Sequence, residues 1–266
     1  MDEELFEKLW ELKGQNILVG GAWILSFATL VTALGETRLL FLQERETDEE
    51  SQGKLQNEAE AEEDGQGEGE EREEEAETAA EQAVVVGQTL EAFGNAVQAV
   101  GRTKIYEASP SVPKKLGVLG CWIQAAGNTG NAIAEEMVVA GMEVEGERNN
   151  AISSGIQSFG AILEAAGAAG VEPTPAQGLE VYGNIVIAYG AALDSIGGIF
   201  ALQGSEYEGQ LIEFAGSWIQ FIGAIMELIA VTDTLAYLES EISKGDEQLP
   251  ASSERYSSYS KYNGSR

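Results

Sequence analysis

Small residues, usually glycine, recur at every seventh position through most of the chain. A seven-residue period is typical of helices that pack lengthwise against one another. Glycine inside a helix costs roughly 1 kcal/mol relative to alanine, so close helix packing must offset that cost. The series comprise Gly14, Gly21, Ala28, Gly35; Ala80, Gly87, Gly94, Gly101; Gly120, Gly127, Ala134, Gly141; Ser153, Gly160, Gly167; Gly183, Gly190, Gly197, Gly204; and Gly209, Gly216, Gly223, Ala230.

With the small residue called position a, large apolar residues occupy positions c, d and g. On a helical wheel these positions form one continuous apolar arc of about 160° with a at its edge. The arc includes Trp23, Trp122 and Trp218 at c, Ile24, Leu90, Ile123, Ile156, Val186 and Ile219 at d, and Phe27, Phe93, Phe159, Tyr189 and Ile222 at g. We expect the arc to pack between helices, and the polar e positions to form a solvated face.

In addition to the seven-residue period, the chain repeats with a longer period of about 33 residues. The second small residue of each fragment falls at Ala28, Gly94, Gly127, Gly160, Gly190 and Gly223, with spacings of 66, 33, 33, 30 and 33. The spacing of 66 is two periods and spans an acidic insert. The sequence therefore predicts an all-α, up-down array of about six antiparallel helices; whether the array closes is left open.

Proline, glycine and low-complexity segments predict the boundaries of the parts. We expect a first helix over residues 1–45, a disordered acidic insert over 46–78, a five-helix repeat region over 79–244 that packs with the first helix as one domain, and a disordered tail over 245–266. Turns are expected at Pro110 and Pro113 and at Pro173 and Pro175. The third helix is expected to end near Gly146.

Charge and composition exclude several functions. The chain has 45 acidic and 15 basic residues, which disfavours nucleic acid as a partner because binding a polyanion requires clustered bases. Histidine is absent, which removes the commonest general base and metal ligand. Cys121 is the only cysteine and is expected to be a small apolar filler. We therefore predict no enzymatic activity, no catalytic, cofactor-binding or metal-binding residues, and no cofactor.

Other patterns that resemble chemistry have simpler interpretations. Glu164, Asp194 and Glu227 share position e in successive helices, but carboxylate metal sites in helix bundles also use histidine, so we expect one acid per polar face. The segment from Gly127 resembles a phosphate-binding loop but lacks its lysine and belongs to the glycine series. The cluster of Tyr256, Tyr259 and Tyr262 is a weak candidate contact segment.

Residues 16–35 carry no charge and are long enough to cross a bilayer. Acids at Glu91, Glu164, Asp194 and Glu227 count against a membrane, since each would cost roughly 2.5–3.5 kcal/mol at the bilayer centre. We therefore predict a cytoplasmic protein, with membrane association as the alternative.

The recurring element Gly-x-Trp-Ile-Gln-x-x-Gly-Asn resembles a family of glycine-rich repetitive proteins of unknown function from Bacillus-type Firmicutes. The matching residues are 120–128 and 216–223, with looser matches at 87–95 and 154–160. The resemblance implies a bacterial origin and gives no activity. The sequence thus predicts a non-enzymatic structural or interaction protein that binds an unknown protein partner or itself, and the alternative is a membrane-associated or membrane-perturbing helical protein.

Overall fold

The computed structural model describes residues 3–56 and 67–247, and within them the chain forms six α-helices. They are α1 (Glu3–Gln56), α2 (Gly67–Ala108), α3 (Val112–Val139), α4 (Glu143–Gly170), α5 (Gln177–Leu202) and α6 (Glu206–Glu247). The predicted all-α, up-down arrangement of six helices is confirmed.

The six helices close into a ring. Each helix packs against the helices before and after it in the chain, and α1 packs against α6. The described residues therefore form a six-helix barrel, and the first helix belongs to the same packed unit as the other five. This closure answers the question that the repeat pattern left open.

Two of the connections are tight turns built on glycine. Gly141 and Gly204 have φ angles of +77° and +81°, which residues with a side chain rarely adopt. Gly141 follows α3, where the amide of Met142 donates to the carbonyl of Met137 at 2.8 Å. The prediction that the third helix runs to Gly146 is therefore wrong, because Gly141 belongs to a turn and not to the helical glycine series.

Helix α3 begins at a predicted proline turn. Ser111 is its N-cap, and its hydroxyl accepts a hydrogen bond from the amide of Lys114 at 3.3 Å. Pro113 lies in the first turn, where the missing amide hydrogen costs nothing.

Helices α1 and α2 both extend into the segment predicted as a disordered insert. The first ends at Gln56 and the second starts at Gly67, so the insert's predicted boundaries at 46 and 78 differ from the helical boundaries. Residues 57–66 lie outside the described residues. The predicted tail lies largely outside them as well, since the description ends at residue 247.

Glycines bring the helices together in three pairs. A Cβ atom placed on Gly21 of α1 would lie 2.8 Å from the carbonyl oxygen of Gly94 in α2. The same distance separates a Cβ on Gly160 from the Gly120 oxygen, across α3 and α4, and a Cβ on Gly223 from the Gly183 oxygen, across α5 and α6. These distances are shorter than any side chain tolerates, so backbone packs directly against backbone.

Serine joins neighbouring pairs. The hydroxyl of Ser26 in α1 donates to the carbonyl oxygen of Ala224 in α6 at 3.1 Å, and that of Ser158 in α4 donates to Ala188 in α5 at 2.8 Å. Ser195 in α5 donates to Ala151 in α4 at 2.6 Å. Small residues thus form the contacts between the pairs as well as within them.

The apolar arc faces outward, which corrects the expectation that it packs between helices. Trp23 is 62% exposed, Phe27 61% and Phe93 57%. Trp122, Phe159, Tyr189 and Ile222 are exposed in the same way. The a edge of the arc lies in the helix contacts, and Trp218 at position c also reaches α1, where its indole donates to Thr37 at 3.0 Å. The e positions, expected to be solvated, point into the barrel: Glu91, Glu164 and Glu227 are at most 2% exposed.

Gly21→Ala and Gly20→Ala form a matched pair that tests the glycine contacts. A Cβ on Gly21 would lie 2.7 Å from the backbone nitrogen of Gln98, whereas a Cβ on Gly20 meets nothing within 4 Å. We expect Gly21→Ala to lower the free energy of unfolding by about 1–3 kcal/mol through overpacking. Gly20→Ala should raise it by up to about 1 kcal/mol through helix propensity.

The measurement is thermal or denaturant unfolding of the purified full-length variants, followed by circular dichroism. If Gly21→Ala were as stable as Gly20→Ala, the close contact between α1 and α2 would be wrong.

Candidate functional site

The interior of the barrel is polar and contains amide or carboxyl side chains from several helices. Buried amides and acids include Gln15, Glu36, Gln88, Glu91, Asn95, Gln98, Gln124, Asn128, Asn131, Gln157, Glu164, Asn184, Asp194, Glu213, Gln220 and Glu227. Most of these residues lie at positions b and e of the seven-residue period. A soluble protein places its apolar side chains there, so this interior is the candidate site.

The glycines at position a also make room for the interior side chains. A Cβ on Gly21 would lie 2.7 Å from Cγ of Gln98, and one on Gly160 would lie 2.7 Å from Cγ of Gln124. The aliphatic stem of each glutamine therefore lies over a glycine of the neighbouring helix, while its amide reaches inward. This arrangement explains why glycine at a and a long polar residue at e occur together.

Arg102 forms an ion-pair centre near one end of the interior, which we call the Arg102 centre. Its guanidinium lies 3.0 Å from Glu180, 3.1 Å from Glu164 and 3.4 Å from Glu227. These residues come from α2, α4, α5 and α6, so the centre connects all three helix pairs. Gln124 of α3 also donates a hydrogen bond to Glu164.

A second series of hydrogen bonds crosses the barrel between its middle and the end opposite the Arg102 centre. Asn131 donates to Gln157 at 3.2 Å, Gln157 donates to Gln220 at 2.6 Å, and Gln220 donates to Asp194. The series joins α3, α4, α6 and α5. In α1, Thr32 donates to Glu91 of α2 at 2.7 Å. Every helix therefore contributes to polar contacts at this level.

Acids from five helices gather at the end opposite the Arg102 centre, and we call them the acidic ring. Its members are Glu36 (α1), Glu81 (α2), Glu135 (α3), Glu147 (α4) and Glu213 (α6). Glu135 lies close enough to be repelled electrostatically by Glu36, Glu81 and Glu147. Glu213 is repelled in the same way by Glu36, Glu135 and Glu147.

Neutral amides bind two members of the ring. Gln210 donates to Glu36 at 2.6 Å, and Asn150 donates to Glu213 at 3.0 Å. At the outer edge, burial together with repulsion from the neighbouring Glu206 and Glu143 raises the pKa of Glu147 to about 7, and burial is the largest of these causes. The pKa of Glu81 is also raised, first by burial and then by Glu77.

Four amides of α2 and α3 lie between the Arg102 centre and the acidic ring, and we call them the amide layer. They are Asn95, Gln98, Gln124 and Asn128, each at most 1% exposed. Neither side-chain atom of Asn95 or Asn128 has a hydrogen-bond partner, and Gln124 Oε1 has none either. Buried amides are normally satisfied, so unpartnered ones indicate a place where water or an ion binds.

The structure gathers some of the acids that the sequence singled out and separates others. Glu164 and Glu227 meet at Arg102, whereas Asp194 binds Gln220 closer to the acidic ring. The expectation that these acids form a solvated polar face is wrong, because the barrel buries all three.

Sequence reasoning missed Arg102 as an interior residue. Its signal was a base one residue after the last glycine of its series, at the b position that elsewhere carries interior amides.

The remaining candidates have structural or untested roles. Gly127, which began the phosphate-loop-like segment, packs against Ser153 and Gln157 of α4 within a helix. Cys121 is buried, with Sγ 3.9 Å from Oε1 of Gln98. The Tyr256 cluster lies outside the described residues. Among the side chains that are described, no group of three or more acids or cysteines is placed to hold a metal ion.

An uncharged apolar belt surrounds the outside of the barrel. On each helix the outward positions between the flanking charged residues are apolar, small or hydroxyl-bearing, apart from Gln82 at the edge of α2 and Asn149 at the edge of α4. The belt covers residues 17–37, 82–103, 116–134, 149–171, 181–202 and 209–232, or 19 to 24 residues per helix. The charged residues inside these ranges are Glu36, Glu91, Arg102, Glu164, Asp194, Glu213 and Glu227, and all of them belong to the interior.

By length and composition, three helices could cross a membrane: Leu5–Arg45, Gln177–Leu202 and Glu206–Lys244. Interior amides and acids lower the mean hydropathy of α2, α3 and α4, although their outward faces are as apolar as those of the other three helices.

The fold and the site define an all-helical barrel with an apolar outside and a polar, acid-rich inside. The chain belongs to DUF6944, a family of unknown function, whose model matches residues 66–228. The match covers α2 to α5 and about the first half of α6. No curated protein and no solved structure matches the chain.

The Arg102 centre gives a stability prediction. Arg102→Met leaves the buried carboxylates of Glu164 and Glu227 and the partly buried carboxylate of Glu180 without their cation, so we expect the free energy of unfolding to fall by about 3–5 kcal/mol. Arg148→Met is the matched control, since Arg148 is exposed on α4 and its replacement should change stability by less than about 0.5 kcal/mol. Denaturant unfolding of both variants measures the difference, and equal stabilities would show that Arg102 does not hold the helix pairs together.

Proposed function

We propose that this chain is a non-enzymatic integral membrane protein whose six helices cross the bilayer, with lipid covering the apolar belt. The observation that carries the proposal is the inverted distribution of side chains, with aromatic and branched apolar residues outside and carboxyl and amide groups inside. This favours the membrane alternative over the cytoplasmic location that the sequence alone predicts.

The height of the belt supports this assignment. At 1.5 Å per residue, helices of 19 to 24 residues span about 29–36 Å. The hydrocarbon core of a bilayer is about 30 Å thick. Charged residues flank the belt on both sides, as at Arg38 on α1 and Lys115 on α3, where they would meet headgroups and water.

The energetic argument against water is the size of the exposed apolar surface. Leaving a large aliphatic or aromatic side chain in water forgoes about 1.5–3 kcal/mol relative to burying it. Soluble monomers rarely expose contiguous apolar patches of more than a few hundred Å². A belt that surrounds the whole barrel far exceeds such a patch.

The acids that argued against a membrane do not meet lipid. Glu91, Glu164 and Glu227 are enclosed by the ring of helices, where ionisable residues of membrane proteins usually face one another or a polar cavity. Glycine and serine contacts between helices are also typical of membrane bundles, since lipid gives no hydrophobic drive for helix association.

Self-association in water through the belt is the competing function, because it also covers apolar surface. It predicts a soluble oligomer that needs no detergent. Fractionation of expressing cells, followed by carbonate washing of the membranes, separates the two. Recovery of the full-length protein as a soluble oligomer would overturn the membrane proposal.

Tryptophan quenching gives a positional prediction. In proteoliposomes made with phospholipids brominated in the middle of their acyl chains, a variant that retains only Trp23 should be strongly quenched, because Trp23 lies about 9 Å inside the edge of the belt and faces outward. A variant that retains only Trp10 is the control, since Trp10 lies outside the belt against Lys13 and Lys104. Equal, weak quenching of both variants would place the belt outside the hydrocarbon region.

A further inference from the structure

We infer that the interior of the barrel is a path for small monovalent cations, protons or alkali-metal ions, that enter through the acidic ring. The inference rests on the proposed function, because a path has meaning only if the barrel spans a membrane. It is carried by three features of the interior: its charge, its unpartnered amide oxygens and the continuity of its polar contacts.

The charge of the interior selects the sign of the ion. The acidic ring is followed by Glu91 and Asp194, and then by three carboxylates that outnumber Arg102 in its centre. Acids surrounded by apolar helices attract cations and repel anions, and rings of Asp and Glu give cation channels their selectivity.

The amide layer gives the second, independent observation. Asn95 Oδ1, Asn128 Oδ1 and Gln124 Oε1 are buried acceptors without partners. Gln98 of α2 contacts Cys121 of α3, so the two helices are adjacent at this height. Asn95 lies one helical turn from Gln98, and Gln124 and Asn128 lie one and two turns from Cys121. In selective pores, backbone carbonyl oxygens replace the hydration shell of a cation, and side-chain amide oxygens are the same chemical group.

Polar side chains connect the ring to the amide layer. Glu213 accepts from Asn150 at 3.0 Å, and Ser154 bridges Asn150 and Asn131 at 3.4 and 3.2 Å. Asn131 lies one helical turn from Asn128 in the amide layer. From there Gln124 leads to Glu164 and the Arg102 centre. The path therefore runs through the belt from one charged end to the other.

Apolar side chains narrow the path at its middle. Leu25, Ala161, Ile187, Ala188 and Ala224 form a buried cluster contributed by α1, α4, α5 and α6. Because this cluster fills the side of α1, α4, α5 and α6, the path runs along α2 and α3, where the amide layer lies. A path lined by buried amide oxygens suits protons and bare alkali-metal ions.

The test uses the full-length protein in vesicles of phosphatidylcholine and phosphatidylglycerol. Potassium efflux measured with an electrode and proton flux measured with trapped pyranine distinguish the two cations, and chloride efflux is the anion control. Wild-type protein should pass at least one of the two cations well above empty vesicles, and no more chloride than they do.

Two adjacent residues of α3 give matched variants. Asn128→Leu puts an apolar side chain of similar size into the amide layer and should reduce cation flux severalfold. Removing a buried polar group without partners is close to neutral for stability, so lost flux would not reflect unfolding. Thr129→Leu faces outward from the same turn and should leave flux unchanged.

Glu213→Gln in the ring should likewise reduce flux, whereas Glu208→Gln, exposed on the same helix, should not. Absence of cation flux in vesicles where Trp23 quenching shows insertion would overturn this inference and leave the membrane proposal standing. Chloride flux equal to cation flux, or full flux in Asn128→Leu, would overturn it too. Failure of the protein to insert would overturn both proposals.

Discussion

Direct contact between helix backbones at glycine determines the rest of this structure. Where Gly21 meets Gly94, and where Gly160 meets Gly120, a single methyl group would be too large. Such contacts replace side-chain interdigitation as the means of holding two helices together, and they gain dispersion and weak Cα–H···O interactions in return. Because the helices approach so closely at position a, their bulky residues at c, d and g turn outward, while the residues at b and e turn into the barrel.

The same contacts explain how a polar interior is tolerated. The stems of Gln98 and Gln124 lie over glycines of the next helix, which lets their amides reach partners on other helices. Arg102 of α2 then joins its own glycine-packed pair to the other two, through Glu164 of α4 and through Glu180 and Glu227 of α5 and α6. Buried charge costs free energy unless it is paired, so the barrel depends on this centre at one end, while the acidic ring at the other end is bound by neutral amides. The two ends of the interior therefore differ in charge, with an arginine among carboxylates at one end and acids without a cation among the ring members at the other.

An apolar outside and a charged inside follow one physical rule, which is that each group lies in the medium that stabilises it. In lipid, Trp23 and Phe27 are stabilised on the surface, and Glu91 is stabilised only where Thr32 and other polar groups surround it. For this reason the barrel has the distribution expected for a bilayer and the reverse of the one expected for water.

Periodicity alone determined that the chain is helical, where glycine recurs and which residues share a face, because these depend only on spacing along a helix. It placed Gly94, Phe93 and Gln98 correctly relative to one another. It did not determine which face turns inward, since a helical wheel is the same in water and in lipid. The turn at Gly141 was missed because the sequence does not distinguish a glycine inside a helix from a glycine with positive φ in a turn. Only the tertiary structure brought Arg102 to Glu164, Glu180 and Glu227, because residues 62 to 125 positions apart meet only when the ring of helices closes.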